Sequence, residues 1–112
     1  MDPTPKVTDN PDEGRFELHL GDELAGFSVY ELRDGGATYA FSHTEVDEKF
    51  EGKGLGSKLA AGMLDELRAK GATVLPYCPF VRSWIRRHPD YRELVPEPDW
   101  AYFKLTRPDS GE

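Results

Sequence analysis

Apolar residues recur at helical spacing in the middle of the chain. Between Leu55 and Lys70 these positions are Leu55, Leu59, Ala60, Met63, Leu64 and Leu67. Charged residues fill the opposite face, and Gly71 follows as a helix-ending glycine. The pattern predicts one amphipathic helix over this stretch.

Polar and apolar residues alternate before this helix, which is typical of β-strands. Strong turn signals, Gly21-Asp22 and Asp34-Gly35-Gly36, separate the alternating stretches. The predicted strands are Arg15–Leu20, Leu24–Leu32 and Ala37–Val46. Consecutive strands joined by short turns predict an antiparallel meander.

A short apolar stretch, Ala72–Tyr77, follows the helix and predicts a fourth strand. A helical crossover makes this strand parallel to the one before the helix. Phe80–His88 predicts a second helix, because Pro79 suits a first turn and Pro89 ends it. The predicted class is therefore α+β (mixed α/β): an antiparallel meander, then a βαβ crossover, with two main helices and the topology β-β-β-α-β-α.

The two ends of the chain differ from its centre. Residues 1–14 hold three prolines and four acidic residues, with Val7 as the only apolar residue after Met1, and predict a disordered tail. Residues 15–106 form one predicted domain, and residues 107–112 should be frayed. Near that end, Trp100–Leu105 predicts either an edge strand or a packed extended tail.

The charge, the apolar runs and the cysteine count of the chain indicate which partners and ligands suit it poorly. The formal net charge of -7 disfavours nucleic acid and anionic membranes as partners. No stretch resembles a membrane span or a signal peptide, so we expect the protein in the cytoplasm. We also expect it to be a monomer. One cysteine, Cys78, excludes an internal disulfide and a multi-cysteine metal site, and no metal is expected.

A glycine-rich loop leads directly into the predicted helix. Gly52, Gly54 and Gly56 alternate with larger residues, so bare backbone meets the free N–H groups of the first turn. Such a helix end suits a phosphate or pyrophosphate. The candidate binding residues are Gly52, Lys53, Gly54, Leu55, Gly56, Ser57 and Lys58. The alternative is that the glycines only permit a sharp turn, and neither the P-loop nor the dinucleotide fingerprint matches.

The stretch Glu51-Gly52-Lys53-Gly54-Leu55-Gly56 resembles the acetyl-CoA signature of the GNAT superfamily of acyltransferases, Gln/Arg-x-x-Gly-x-Gly/Ala, with glutamate in the first place. The flanking stretches His43–Val46, Pro76–Val81 and Arg86–Pro89 resemble a branch of compact single-domain N-acetyltransferase-like proteins. This resemblance covers residues 16–95. It implies a GNAT-like sheet, acetyl-CoA (coenzyme A) as cofactor, and pairing of the backbone near Val46 with the pantetheine arm.

Three residues are candidates for catalysis. Cys78 follows the last parallel strand and precedes a helix, where ligands of open sheets bind; the alternative is a small buried apolar residue. His43 and Glu45 would share a face of their strand with Tyr39 and Phe41. On that face, His43 or Glu45 could act as a general base; the alternative is that both are ordinary surface residues.

The resulting function hypothesis is an N-acetyltransferase that passes an acetyl group from acetyl-CoA to an amine. Transfer could be direct or could proceed through an acetylated Cys78. The alternative is a non-catalytic module that binds coenzyme A or an acyl-CoA, or a protein-interaction domain. The sequence does not identify the acceptor.

Overall fold

The computed structural model describes residues 4–50 and 52–105. Five strands form one sheet, in the order of the chain: β1 Pro5–Asn10, β2 Arg15–Leu20, β3 Glu23–Arg33, β4 Thr38–Val46 and β5 Thr73–Pro76. The α-helices are α1 Leu55–Lys70 and α2 Pro79–Arg87, and short 3₁₀ segments cover Asp34–Gly36, Glu48–Phe50, Pro89–Leu94 and Glu97–Asp99. Neighbouring strands are antiparallel except β4 and β5, which are parallel. The expected α+β class and mixed sheet are confirmed.

The apolar face of α1 packs against one face of the sheet. Leu59, Met63 and Leu67 of the helix are fully buried in one cluster with Phe16 and Phe41 of the strands. Gly71 ends the helix in the left-handed conformation, at φ 74°, and its N–H returns to the carbonyls of the last turn. The helix predicted from apolar spacing therefore has the predicted bounds.

The predicted N-terminal tail is wrong over much of its length. Pro5–Asn10 form β1, which pairs with β2, and only residues 1–3 of the tail lie outside the described residues. Val7 lies against Gly62 of α1, and the Tyr30 hydroxyl donates a 2.6 Å hydrogen bond to the Asp9 carboxylate. A strand with few apolar residues is stable here because the sheet edge satisfies its backbone and because the partly buried Val7 side chain packs against a glycine of α1.

The C-terminal stretch packs against the core without forming a strand. Residues 101–104 turn, while Phe103 and Leu105 are only 1% and 2% exposed. The Trp100 indole donates to the carbonyl of Val95 at 2.9 Å. A packed tail was therefore the correct alternative, although its backbone turns instead of extending. The frayed end predicted for residues 107–112 lies outside the described residues.

Within the described part of the chain, neither helix combines the length and the hydropathy that crossing a membrane requires.

Candidate active site

The glycine loop opens directly onto the first turn of α1. Gly52 and Gly54 have φ values of 84° and 71°, in the region where a side chain is strained, and a Cβ on either would meet no atom of the described residues within 4 Å. The first N–H groups of α1 have no acceptor within the helix, as at the start of any α-helix. Leu55 presents only its backbone to the loop, because its side chain is buried. The loop therefore presents bare, exposed backbone with a partial positive charge.

Two lysines flank this backbone. Lys53 and Lys58 are exposed, and the Lys53 ammonium lies 6.0 Å from the centre of the Phe50 ring. Both ammonium groups add positive charge next to the helix end, where an anion is already favoured. The loop thus has the electrostatic character predicted from its sequence.

Two residues of the loop also hold the structure together. A Cβ at Gly56 would lie 3.0 Å from the Phe80 ring, so this glycine permits the close approach of α2. The exposed Ser57 accepts a 2.9 Å hydrogen bond from the Trp84 indole through its hydroxyl oxygen. The packing interpretation of the glycines therefore holds at Gly56, whereas Gly52 and Gly54 face open space.

The two parallel strands separate just before the glycine loop. Their last pair is Phe41 with Pro76, and the Cys78 N–H then donates to the Phe41 carbonyl at 2.9 Å. Beyond this point β4 continues to Val46 with β3 alone as its partner among the described strands. The Asp47 N–H donates to the carbonyl of Ala25 in β3. Along a strand, the backbone N–H and C=O groups of successive residues point to alternate sides. Those of Val46 therefore point away from β3 and into the opening, where an extended ligand can pair with them.

A β-bulge corrects the predicted faces of β4. Val29 pairs with His43 and Tyr30 pairs with Phe41, so Ser42 is an extra residue in β4. Tyr39 and Phe41 are buried on the helix-covered face, as expected. The extra residue reverses the alternation, so that His43 and Glu45 lie on the opposite, uncovered face. The prediction that these four side chains share a face is wrong.

Cys78 lies inside, at the start of α2. It is only 3% exposed, and its thiol is 3.3 Å from the Thr44 hydroxyl, which in turn lies 2.8 Å from the hydroxyl of the fully buried Ser28. The helix-covered face of the sheet therefore carries a short buried polar chain that ends at the sulfur. Access to the thiol requires a group that enters the gap between β4 and β5.

His43 and Glu45 form an exposed pair outside. The His43 Nε2 atom is 2.7 Å from a carboxylate oxygen of Glu45, and their side chains are 57% and 60% exposed. The ring of Phe27 stands 6.3 Å away from that of His43, centre to centre. The sheet separates this pair from Cys78, so the structure does not assemble the three catalytic candidates into one constellation.

A pocket that the sequence interpretation missed lies on the uncovered face. Its volume is about 310 Å³, and its lining residues are Glu31, Arg33, Ala40, Ser42 and Tyr77. Tyr77 and Cys78 are neighbours in the chain, and in extended backbone neighbouring side chains point to opposite faces. This alternation is the only feature of the sequence that indicates a site on the face opposite to Cys78. The sequence did not reveal it because its lining comes from two strands and from the residue that follows a third, and because the bulge at Ser42 was not foreseen.

Comparison with known proteins places this architecture in a family. A family model for the GCN5-related N-acetyl-transferases matches residues 15–94. The solution NMR structure of a GCN5-like protein from Staphylococcus aureus superposes with a TM-score of 0.61 at 19% identity, covering 81% of this chain and 87% of that one. A search of curated proteins finds no match. Because the family model spans most of the chain, including the strand opening and the glycine loop, this protein belongs to the GCN5-related N-acetyl-transferases.

Proposed function

We propose that the protein transfers an acetyl group from acetyl-CoA to an amine. One observation carries the proposal: at Val46, β4 has an edge that no other described strand pairs with, and this edge leads into a bare glycine loop at a helix N-terminus. An extended amide chain that ends in a pyrophosphate complements both parts at once. Coenzyme A has this form.

The binding mode follows from the two parts. The amides of the pantetheine arm pair with the free edge of β4, as a further strand would. The pyrophosphate accepts hydrogen bonds from the backbone of Gly54, Leu55 and Gly56, while Lys53 and Lys58 supply charge. The thioester then lies in the gap beside Ser42 and Tyr77, where the strands part.

Direct transfer uses the uncovered face. A base removes a proton from the acceptor's ammonium group, and the amine nitrogen attacks the thioester carbonyl. The carbon–sulfur bond breaks, coenzyme A leaves as a thiolate that takes up a proton, and the nitrogen loses its second proton to give the amide. We assign the base to His43 with Glu45 orienting it, because their 2.7 Å contact fixes the ring beside the bulge.

The covalent variant would pass the acetyl group to the Cys78 sulfur before the amine attacks. Two observations favour direct transfer. Cys78 is nearly inaccessible, and His43 lies on the other face of the sheet, where it cannot take the thiol proton. Cys78 instead forms the inner wall of the gap.

A transfer assay separates these possibilities. Acetyl-CoA is incubated with a broad panel of amines, and released thiol and acetylated product are both measured, together with the mass of the intact protein. We expect turnover without an acetylated protein, a loss of about 10²- to 10⁴-fold in His43→Gln, and retained activity in Cys78→Ala. His19→Gln is the matched control, because His19 also pairs with a glutamate on the uncovered face, at 2.9 Å. An acetylated wild-type protein together with an inactive Cys78→Ala variant would contradict direct transfer.

A second candidate is a module that binds coenzyme A without turnover. The exposure of His43 and Glu45 favours it, since neither lies in an enclosed site. It predicts that acetyl-CoA binds while no amine, peptide or protein of the panel is acetylated.

A further inference from the structure

The pocket on the uncovered face adjoins the gap between the parallel strands. Ser42 and Tyr77 line it, and these are the residues that follow the last strand pair, Phe41 with Pro76. The two helices cover the other face. A molecule in this pocket would therefore approach the gap from the side opposite to Cys78. The volume of the pocket, about 310 Å³, suits a small molecule.

Arg33 is held in place at this pocket. Its Nε donates to the Glu31 carboxylate at 3.2 Å, another guanidinium nitrogen lies 3.4 Å from the Tyr77 hydroxyl, and the guanidinium carbon is 5.3 Å from the centre of the Tyr77 ring. These contacts use two of the five N–H groups. The side chain is still 45% exposed. A guanidinium oriented in this way is suited to bind a carboxylate through two parallel hydrogen bonds.

Glu31 supplies the opposite charge in the same pocket. Its side chain is 72% exposed, so its ion pair with Arg33 is a surface pair that contributes little to stability. A ligand that carries one positive and one negative group can replace this pair without leaving a charge unpartnered. A simple amine would engage Glu31 alone and leave Arg33 without its partner.

We propose that this pocket binds the acceptor and selects a free α-amino acid, with its carboxylate on Arg33 and its amino group beside Glu31 and Ser42. The proposal that this bound amino acid is then acetylated rests on the proposed function. The amino group then lies next to the gap in which the thioester carbonyl is attacked, and His43 follows Ser42 along the same face. A peptide N-terminus carries an amide where the carboxylate is required and is disfavoured.

The test compares acceptors that differ only in the carboxylate: phenylalanine, phenylalaninamide and phenethylamine, with a matched series for leucine. We expect kcat/KM for the amino acid to exceed that for the amine by about 10- to 100-fold, as for a lost charge-assisted hydrogen bond. Arg33→Gln should remove this preference by lowering kcat/KM for the amino acid towards that for the amine. Arg68→Gln is the control, because Arg68 also lies over a tyrosine ring, at 4.5 Å, and pairs with a glutamate, at 2.9 Å, away from the pocket.

A binding measurement without acetyl-CoA tests the pocket separately from the reaction. Phenylalanine is titrated into the wild type and into Arg33→Gln while the NMR signals of Tyr77 and Ser42 are followed. Saturable shifts that Arg33→Gln abolishes support the pocket, even in a protein that transfers nothing, in which case only the proposed function fails. Transfer to amines with no preference for the amino acid, or an absence of shifts in the wild type, overturns the pocket proposal and leaves the proposed function standing.

Discussion

One extra residue in β4 decides which side chains lie on each side of the sheet. The strict two-residue period of a strand assigns His43 and Phe41 to the same face, but Ser42 bulges and reverses the alternation after Phe41. Nothing local in the sequence marks this bulge, since a serine between an aromatic residue and a histidine is compatible with either pairing. The bulge reflects the pairing of β4 with β3, a long-range contact, and it moves the proposed base to the uncovered face.

Glu17 shows a second effect that sequence patterns do not reveal. Its carboxylate is nearly buried and accepts hydrogen bonds from Asn10 at 2.9 Å and Arg15 at 2.8 Å, and it lies 2.9 Å from His19. The hydrogen bond with His19 contributes most to lowering the pKa of Glu17 to about 2, with Arg15 and Asn10 adding to it against the opposing effect of burial. Three residues of two neighbouring strands, β1 and β2, thus stabilise one carboxylate.

This lowered pKa predicts how stability depends on pH. Because the folded pKa lies below the unfolded value, the ionised Glu17 stabilises the fold fully above about pH 4.5, and this contribution is lost as the pH falls towards 2. We expect Glu17→Gln to lower the free energy of unfolding by about 2 to 3 kcal/mol at pH 7 and by much less at pH 3. Urea denaturation at both pH values measures this. The exposed Glu13→Gln should change little, and an equal loss for Glu17→Gln at both pH values would contradict the assignment.

At the level of elements, periodic segments were predictable and the weakly apolar edge strand was not. The bounds of α1 follow from its apolar spacing and its C-terminal glycine, which are local signals. β1 was predicted as a disordered tail because its composition is polar. Its stability comes from the edge of β2 and from the contact between Val7 and Gly62, which are far apart in sequence.

The contact between Val7 and Gly62 can be tested by a double-mutant cycle. A Cβ at Gly62 would lie 2.7 Å from a Val7 methyl carbon, so Gly62→Ala should destabilise the protein by about 1 to 3 kcal/mol, although alanine favours helices. In a Val7→Gly background the three nearest atoms, the two methyl carbons and the Cβ of Val7, are gone, and Gly62→Ala should then stabilise by about 0.5 to 1 kcal/mol. Chemical denaturation of the four proteins gives the cycle. If Gly62→Ala stabilises the wild type, β1 does not pack on α1.

The whole molecule is acidic, yet the proposed cofactor is an anion. The net charge of -7 disfavours extended anionic partners such as nucleic acid. A single pyrophosphate responds instead to the local field of the α1 N-terminus, with Lys53 and Lys58 beside it. The loop could be predicted because its residues are contiguous. The pocket of Glu31, Arg33 and Tyr77 could not, because only the folded sheet brings its strands together.

The proposed function requires acetyl-CoA to bind at the opening between β4 and the glycine loop. Calorimetric titration of acetyl-CoA tests it, with Gly54→Ala compared with Gly71→Ala. Both glycines have nearly the same φ, 71° and 74°, at the two ends of α1, and in the described part of the chain a Cβ on either meets nothing within 4 Å. Each substitution should therefore cost a similar strain of about 1 to 2 kcal/mol. We predict that the wild type and Gly71→Ala bind alike, while Gly54→Ala binds at least about tenfold more weakly because its methyl group occupies the phosphate position. Equal affinities for all three proteins, or no heat for the wild type, would show that acetyl-CoA does not bind at this loop.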